Sequence, residues 1–399
     1  MKHFLALGTH PDLSLAEISC SLPDATDMVH LDRAAIVESS AWEGDVLMNS
    51  LGGVTKLGDI VAETTIDKLD ANDLFEKLKS RCRGHELNFG WTVYGGNANL
   101  KRRLTNQALV FKKAAKAEGL KTRWVTSKDN GEISPAAIFK MGLTSEGLDI
   151  CLFVEGTKIH IGVTTDVQDP DAWSLRDFGR PARDDVNGML PPKLARIMVN
   201  LAQVKDGATV LDPFCGSGTI LMECALATKA SLIIGSDISD RQIADSLKNQ
   251  EWLLKEKILR PDDEERFKLF TCDVRRLSEH LKPNSIDCVV TEGFLGKPLK
   301  GHERQEDLEK GVDEIRRLWI DTLKELKPLL RKHACLVCVW PQLSSSNGRA
   351  RVDLTHELSG LGYRMIEGCG KHAATHKALV YQRPGQHVSR RVVMLENKA

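Results

Sequence analysis

The chain has 399 residues, room for two or three domains and a sizeable core. Its 42% hydrophobic and 28% charged residues exclude a largely disordered chain. Lys plus Arg and Asp plus Glu each total 55, so the net charge is zero, and any nucleic-acid surface has to be a local patch.

No apolar run approaches the roughly 18 residues of a membrane span. The opening MKHFLALG is too brief for a signal peptide. Ten cysteines scattered singly in apolar stretches fit a reducing cytoplasm better than a secreted disulfide framework. The lone C-x-x-C, Cys335 and Cys338 in ACLVCVW, has no second pair at zinc spacing and reads as two core cysteines on a buried strand. The 12 histidines form no H-E-x-x-H cluster, so no metal is expected.

In chain order, residues 1–75 mix short apolar runs (FLALG, AAIVES) with helical stretches such as LSLAEIS and carry no chemistry-bearing motif. Residues 76–165 form a basic middle. Between positions 100 and 140, Lys101, Arg102, Arg103, Lys112, Lys113, Lys116, Lys121, Arg123, Lys128 and Lys140 outnumber Glu118, Asp129 and Glu132, a net +7. The first five of these cations form the candidate nucleic-acid patch. The region closes on two strand-like runs, DICLFVEG and KIHIGVTT, joined through Gly156-Thr157, a hairpin signal.

Residues 166–190 read as a charged, proline-containing linker. Arg176, Arg180 and Arg183 there suit either phosphates or internal ion pairs with Asp177, Asp184 and Asp185. A helix is expected near Pro192, whose missing N–H is harmless in a first turn. From 207 onward strands alternate with helices: 208–211, 231–236, 267–272, 285–291, 334–340, 363–368 and 378–382, with helices over 239–257 and about 305–330 among them. That alternation predicts a doubly wound, mostly parallel sheet. The last two strands, with no helix between them, are expected to pair as an antiparallel hairpin near an edge.

The sharpest motif is VLDPFCGSGTILMECA: a strand, then Asp212, Gly216-Ser217-Gly218-Thr219, then a helix. Two glycines let the backbone pass close to a ligand, and a helix N-terminus offers unpaired N–H groups. Leu221 stands where the dinucleotide fingerprint needs its third glycine, and no Walker Lys-Ser/Thr follows. Asp212, two residues into the loop, suits a positive amino group. Asp237, at the tip of the second strand, suits ribose hydroxyls. Asp273, just past the third strand, suits an adenine amino group. Together they describe S-adenosyl-L-methionine, although a strand–glycine turn can serve packing alone and each acid alone can be a helix cap or turn residue.

DPFCGSGT resembles the cofactor loop of amino-group methyltransferases that act on nucleic acids. FGRPARDDVNGMLPPKLARIMVNLA, YQRPGQHVSRRVVML, the opening LALGTHPDLSLAEI and GGVTKLGDI at 52–60 resemble the THUMP-domain tRNA guanine-N2 methyltransferases of the guanosine-10 type. The resemblance implies an α/β, Rossmann-like methyltransferase domain over 191–399 with a seven-stranded, mostly parallel sheet. A ferredoxin-like domain over 1–75 and a THUMP-like RNA-binding domain over 76–165 would precede it. It also implies S-adenosyl-L-methionine held by Asp212, Pro213, Cys215, Gly216, Gly218, Thr219, Asp237, Ile238, Asp273 and Val274. The resemblance further implies tRNA as partner and a monomeric catalytic chain, and leaves open a small activator protein, which some relatives require.

The catalytic motif departs from that family. Its strand ends in Asp-Pro-Pro-Tyr, whose acid orients the target amine and whose ring stacks on the base. Here SIDCVVT runs into Glu292-Gly293-Phe294-Leu295-Gly296. Glu292 takes the place of the Asp, and Phe294, one residue early, supplies the ring. Either Glu292 serves in a reshaped loop, or the motif is degenerate and the protein binds RNA without methylating it. A third alternative keeps the chemistry but changes the substrate to rRNA or a protein amide. Cys215 sits in the loop as a small packing residue, not a nucleophile.

Overall fold

Strand–helix alternation after residue 207 produces the sheet it predicts. The computed structural model describes residues 1–82, 84–127, 131–183, 189–366 and 378–398. Lys128, Asp129, Asp184, Asp185 and the end of the strand expected over 363–368 lie outside them. Two units form, Met1–Leu15 with Asp24–Ala172, and Ala16–Pro23 with Trp173–Ala399. Among the described residues no helix is long and apolar enough to cross a membrane.

In the second unit the main sheet runs in the order Phe267–Thr271, Leu232–Asp237, Thr209–Asp212, Ile286–Thr291, Leu330–Ser345, Val388–Asn397, Tyr363–Met365. The first five strands are parallel, and Val388–Asn397 inserts antiparallel beside the fifth. This is a Rossmann-like methyltransferase fold. From Thr209–Asp212 the chain winds first to one side and later returns on the other. The switch point therefore lies between Thr209–Asp212 and Ile286–Thr291, and ligands bind such sheets in the crevice at the carboxyl ends there.

One expectation fails. Among the described residues the Tyr363–Met365 and Leu379–Tyr381 strands do not pair with each other; both pair with Val388–Asn397. Val388–Asn397 was not among the expected strands, because Arg390-Arg391 and the Arg-Pro-Gly before it interrupt the apolar pattern that VVML continues.

The helix Gln305–Leu326 covers one face of this sheet. Its Leu308, Val312, Ile315, Trp319, Leu323 and Leu326 recur at helical spacing and are all buried. They meet Trp340 and Tyr363, whose hydroxyl donates to the Leu323 carbonyl at 2.8 Å. Burying each such large side chain contributes about 1.5–3 kcal/mol. Cys335 and Cys338 lie on Leu330–Ser345, as expected for core cysteines, and burial pushes the Cys335 thiol up to about 12.

The first unit carries one eight-stranded sheet, in the order Thr26–Leu31, Ala34–Glu38, Lys2–Leu7, Val54–Thr65, Lys158–Val167, Leu148–Glu155, Glu86–Tyr94, Lys121–Val125. The Gly156-Thr157 hairpin forms, with Gly156 at φ +57°. Val54–Thr65 pairs with Lys2–Leu7 on one side and Lys158–Val167 on the other, so a single sheet continues across residue 75. At its heart Lys56 meets Asp149 at 2.7 Å, both essentially inaccessible, and Thr164 donates to the same carboxylate oxygen at 2.6 Å.

Candidate active site

The crevice at the switch point is a cavity of about 850 Å³ in the second unit. Thr209–Asp212 delivers Asp212 to its floor, 1% exposed. Thr291 Oγ1 donates to Asp212 Oδ1 at 2.6 Å and the Phe214 N–H donates to the same atom at 3.2 Å. Burial, aided by the nearby charges of Asp237 and Glu292, nevertheless lifts this carboxyl to about 7. Thr291 is the residue before Glu292, so this one hydrogen bond ties the glycine loop to the tip of the candidate catalytic strand.

The loop turns on Gly216 at φ +51° and Gly218 at φ +84°, conformations costly for other residues. They differ in purpose. A Cβ on Gly216 would meet only Gln242 Oε1, at 3.8 Å, so its bare backbone faces open space in the cavity. A Cβ on Gly218 would strike Ser246 Oγ at 2.3 Å. Gly218 does not line the cavity; it lets the start of the Thr219–Ala227 helix approach the Asp240–Lys255 helix.

Pro213, Cys215, Gly216, Thr219, Asp237, Ile238, Asp273 and Val274 all line the cavity with Asp212. Asp237 accepts from the N–H groups of Gly216 and Ser239, both at 3.0 Å, which locks its carboxylate against the loop. Asp273 caps the Val274–Glu279 turn, and the Arg275 guanidinium holds its carboxyl below the usual range. For both acids the cap or turn role and the place on the cavity wall coexist. Ile238 is 70% exposed at the rim. Cys215 is buried and its thiol is pushed well up by burial, which leaves it unreactive.

Glu292 and Phe294 line the same cavity. Phe294 presents its ring 46% exposed. Gly293 has no room for a side chain, since a Cβ would come within 2.7 Å of Trp319. Glu292 is not a solvated loop acid. Arg390 Nε donates to its Oε1 at 2.6 Å and Nη2 to Oε2 at 3.3 Å. Sequence reasoning gave Arg390 no role; its only trace was YQRPGQHVSRRVVML. Gln242, Arg275 and His387 also line the cavity without having been anticipated.

The linker arginines make internal contacts with groups other than the three acids named above. Arg176 Nε donates to Glu223 at 2.8 Å, and Arg180 Nη1 donates to Thr219 Oγ1 at 2.5 Å. Arg183 lies over the Phe178 ring.

Lys101, Arg102, Arg103, Lys112 and Lys113 all fall in the first unit, on the helix Ala98–Ala117. Its core face is Leu104, Ala108, Phe111 and Ala115. At about 100° per residue, Lys101, Arg102, Lys112, Lys113 and Lys116 gather on one flank, while Arg103 turns to the other.

A family profile described as "RMKL-like, methyltransferase domain" matches residues 180–342, and one described as "DNA methylase" matches 106–248. The crystal structure of TrmN from Thermus thermophilus resembles the whole chain, with 100% of each covered, a TM-score of 0.53 and 17% identity, a likeness of fold. A tRNA (guanine(10)-N2)-dimethyltransferase of Methanocaldococcus jannaschii is 31% identical over 48% of this chain and 47% of its own length. A U6 snRNA (guanine-N(2))-methyltransferase of Bos taurus is 27% identical over 53% of this chain and 38% of its own. The chain thus spans about half or less of these relatives. A probable tRNA (guanine(10)-N2)-dimethyltransferase of Methanothermococcus thermolithotrophicus is 34% identical over 31% of this chain and 72% of its own length. With that extent of likeness, and with the methyltransferase fold and its glycine-loop cavity in place, the chain belongs to the tRNA (guanine(10)-N2)-dimethyltransferase family.

Proposed function

We propose that this protein transfers a methyl group from S-adenosyl-L-methionine to the N2 amine of a guanine in tRNA. The observation that carries the reading is the continuity of one cavity from the glycine loop to Glu292 and Phe294, joined at the Thr291–Asp212 hydrogen bond. The residues fit the cofactor. A buried carboxyl lifted to about 7 gains from a nearby cation, and the bare backbone at Gly216 leaves room for a ligand.

S-adenosyl-L-methionine supplies an electrophilic methyl group carried on a positive sulfonium. Asp212 balances positive charge at the floor of the site. Asp237, fixed by two backbone N–H groups, accepts from ribose hydroxyls, and Asp273, Val274 and Ile238 bound the adenine. Phe294 stacks on an extruded base. Glu292 accepts hydrogen bonds from the guanine amine, orients its lone pair, and stabilises the positive charge that develops on nitrogen. The cationic flank of Ala98–Ala117 holds the tRNA through phosphates and shape, the RNA-binding role expected of the THUMP-like part of the first unit.

A second reading, a cofactor-binding RNA binder that transfers nothing, is favoured by one observation: Glu292 is already engaged by Arg390. Labelled S-adenosyl-L-methionine with unmodified tRNA, followed by nucleoside mapping, separates the two. N2-methylguanosine supports transfer. Its absence, with candidate activator proteins added, overturns it, and label in rRNA or protein instead redirects the substrate.

A further inference from the structure

We infer that Arg390 is a positioning residue for methyl transfer: it fixes the plane of the Glu292 carboxylate, so that an outward acceptor site of that group meets the guanine amine in one orientation. This rests on the guanine-N2 reading above. Arg390 sits on Val388–Asn397 opposite Pro341 of Leu330–Ser345, whereas Thr291 is level with Cys338 of that same strand. Arg390 therefore stands about two residues past Glu292 along the strand direction, beyond the carboxyl end of Ile286–Thr291. Two strand spacings, about 10 Å, separate their backbones, and the long arginine arm spans them over Leu330–Ser345. Both side chains line the cavity, and they are only 6% and 12% exposed.

The need for such a restraint is written in the sequence. Glu carries one more rotatable bond than the Asp of the Asp-Pro-Pro-Tyr pattern, and the two residues after Glu292, Gly293 and Phe294, are not the stiffening prolines. Asp212 and Asp237 line the same cavity, and like charges there drive an unrestrained carboxylate toward solvent. Arg390 opposes both effects. Its Nε and Nη2 each hold one oxygen of Glu292, and a two-point grip fixes the plane of a carboxylate where a single bond lets it turn. The grip takes the inward acceptor site of each oxygen. One outward site on each remains, and a single N–H of the amine needs only one of them. Engagement by Arg390 is thus compatible with catalysis, and it supplies the rigidity that prolines would otherwise give the loop.

The test uses the full chain and measures single-turnover methylation of unmodified tRNA at saturating S-adenosyl-L-methionine, together with the affinity for each of the two. Arg390→Lys retains the charge but offers no fork. It should slow transfer by about 10- to 100-fold, the cost of misplacing a reacting group, while both affinities hold within about twofold. In a Glu292→Gln background the same substitution should slow transfer by less than about threefold, because Arg390 acts through Glu292. Arg390→Gln, measured alone and beside Glu292→Gln, repeats the comparison; beside Glu292→Gln it leaves no buried charge of this pair without its partner. An Arg390 that only held the fold would slow transfer equally in both backgrounds, and an Arg390 that bound cofactor or tRNA would weaken an affinity when replaced. Either outcome, or full activity of Arg390→Lys and Arg390→Gln, overturns the inference while guanine-N2 transfer stands. A wild type that transfers nothing to guanine N2 overturns the functional reading and this inference with it.

Discussion

Asp212 makes the electrostatics of the site measurable. Its carboxyl is 1% exposed and lifted to about 7, against about 3.9 in an unfolded chain. A displacement of about three pH units corresponds to about 4 kcal/mol between its two protonation states. Between pH 4 and 7 the free folded protein binds more protons than the unfolded chain. Its stability is therefore greatest below about pH 4 as far as this group is concerned, and falls as pH rises through 7. A cationic ligand reverses the preference, because it favours the ionised carboxylate. S-adenosyl-L-methionine should thus bind about tenfold more weakly for each unit below pH 7. Calorimetric titration from pH 5.5 to 7, with melting curves in the same buffers, tests both slopes. Asp212→Asn should flatten both and weaken binding near neutrality. Equal pH slopes in wild type and Asp212→Asn would refute the assignment of Asp212 to the cation.

Four further outcomes are expected. Asp237→Ala should weaken S-adenosyl-L-methionine binding by about 1–3 kcal/mol in a folded protein, because its ribose partners and the Gly216 N–H lose their acceptor; calorimetry with an unchanged affinity contradicts the ribose role. Glu292→Gln should lower single-turnover methylation by about 10²–10³ while cofactor and tRNA affinities hold, and it should also lower the melting temperature because Arg390 loses a charged partner. Neutralising Lys101, Arg102, Lys112 and Lys113 should weaken tRNA binding and reduce the slope of log K against log salt by about 0.9 for each phosphate left without its cation; Arg103→Ala, on the other flank, should do less, and equal effects from both sets would count against a one-sided interface. Gly218→Ala should destabilise the second unit by about 1–3 kcal/mol, since it combines φ +84° with a clash against Ser246; denaturant melts showing no loss would dismiss that packing role.

The glycine loop, the acids at the ends of three successive strands and the Gly156-Thr157 hairpin were legible in the sequence because their signals are local. Turn chemistry, hydrophobic period and strand-end position are written within a dozen residues. The basic content of Ala98–Ala117 was legible too, but which cations share a flank needed the helix and its buried face. Only the tertiary structure decided that Gly216 opens toward the cavity while Gly218 serves a helix contact, because that depends on Ser246 of another helix. Likewise, Val388–Asn397 became the antiparallel strand through pairing with Leu330–Ser345, a partner chosen by register rather than by composition. The ion pair at the candidate catalytic acid joins residues 98 positions apart, across a sheet whose strand order no local pattern encodes. Strand order brings Arg390 to Glu292, and the low-dielectric surroundings strengthen the ion pair that forms there.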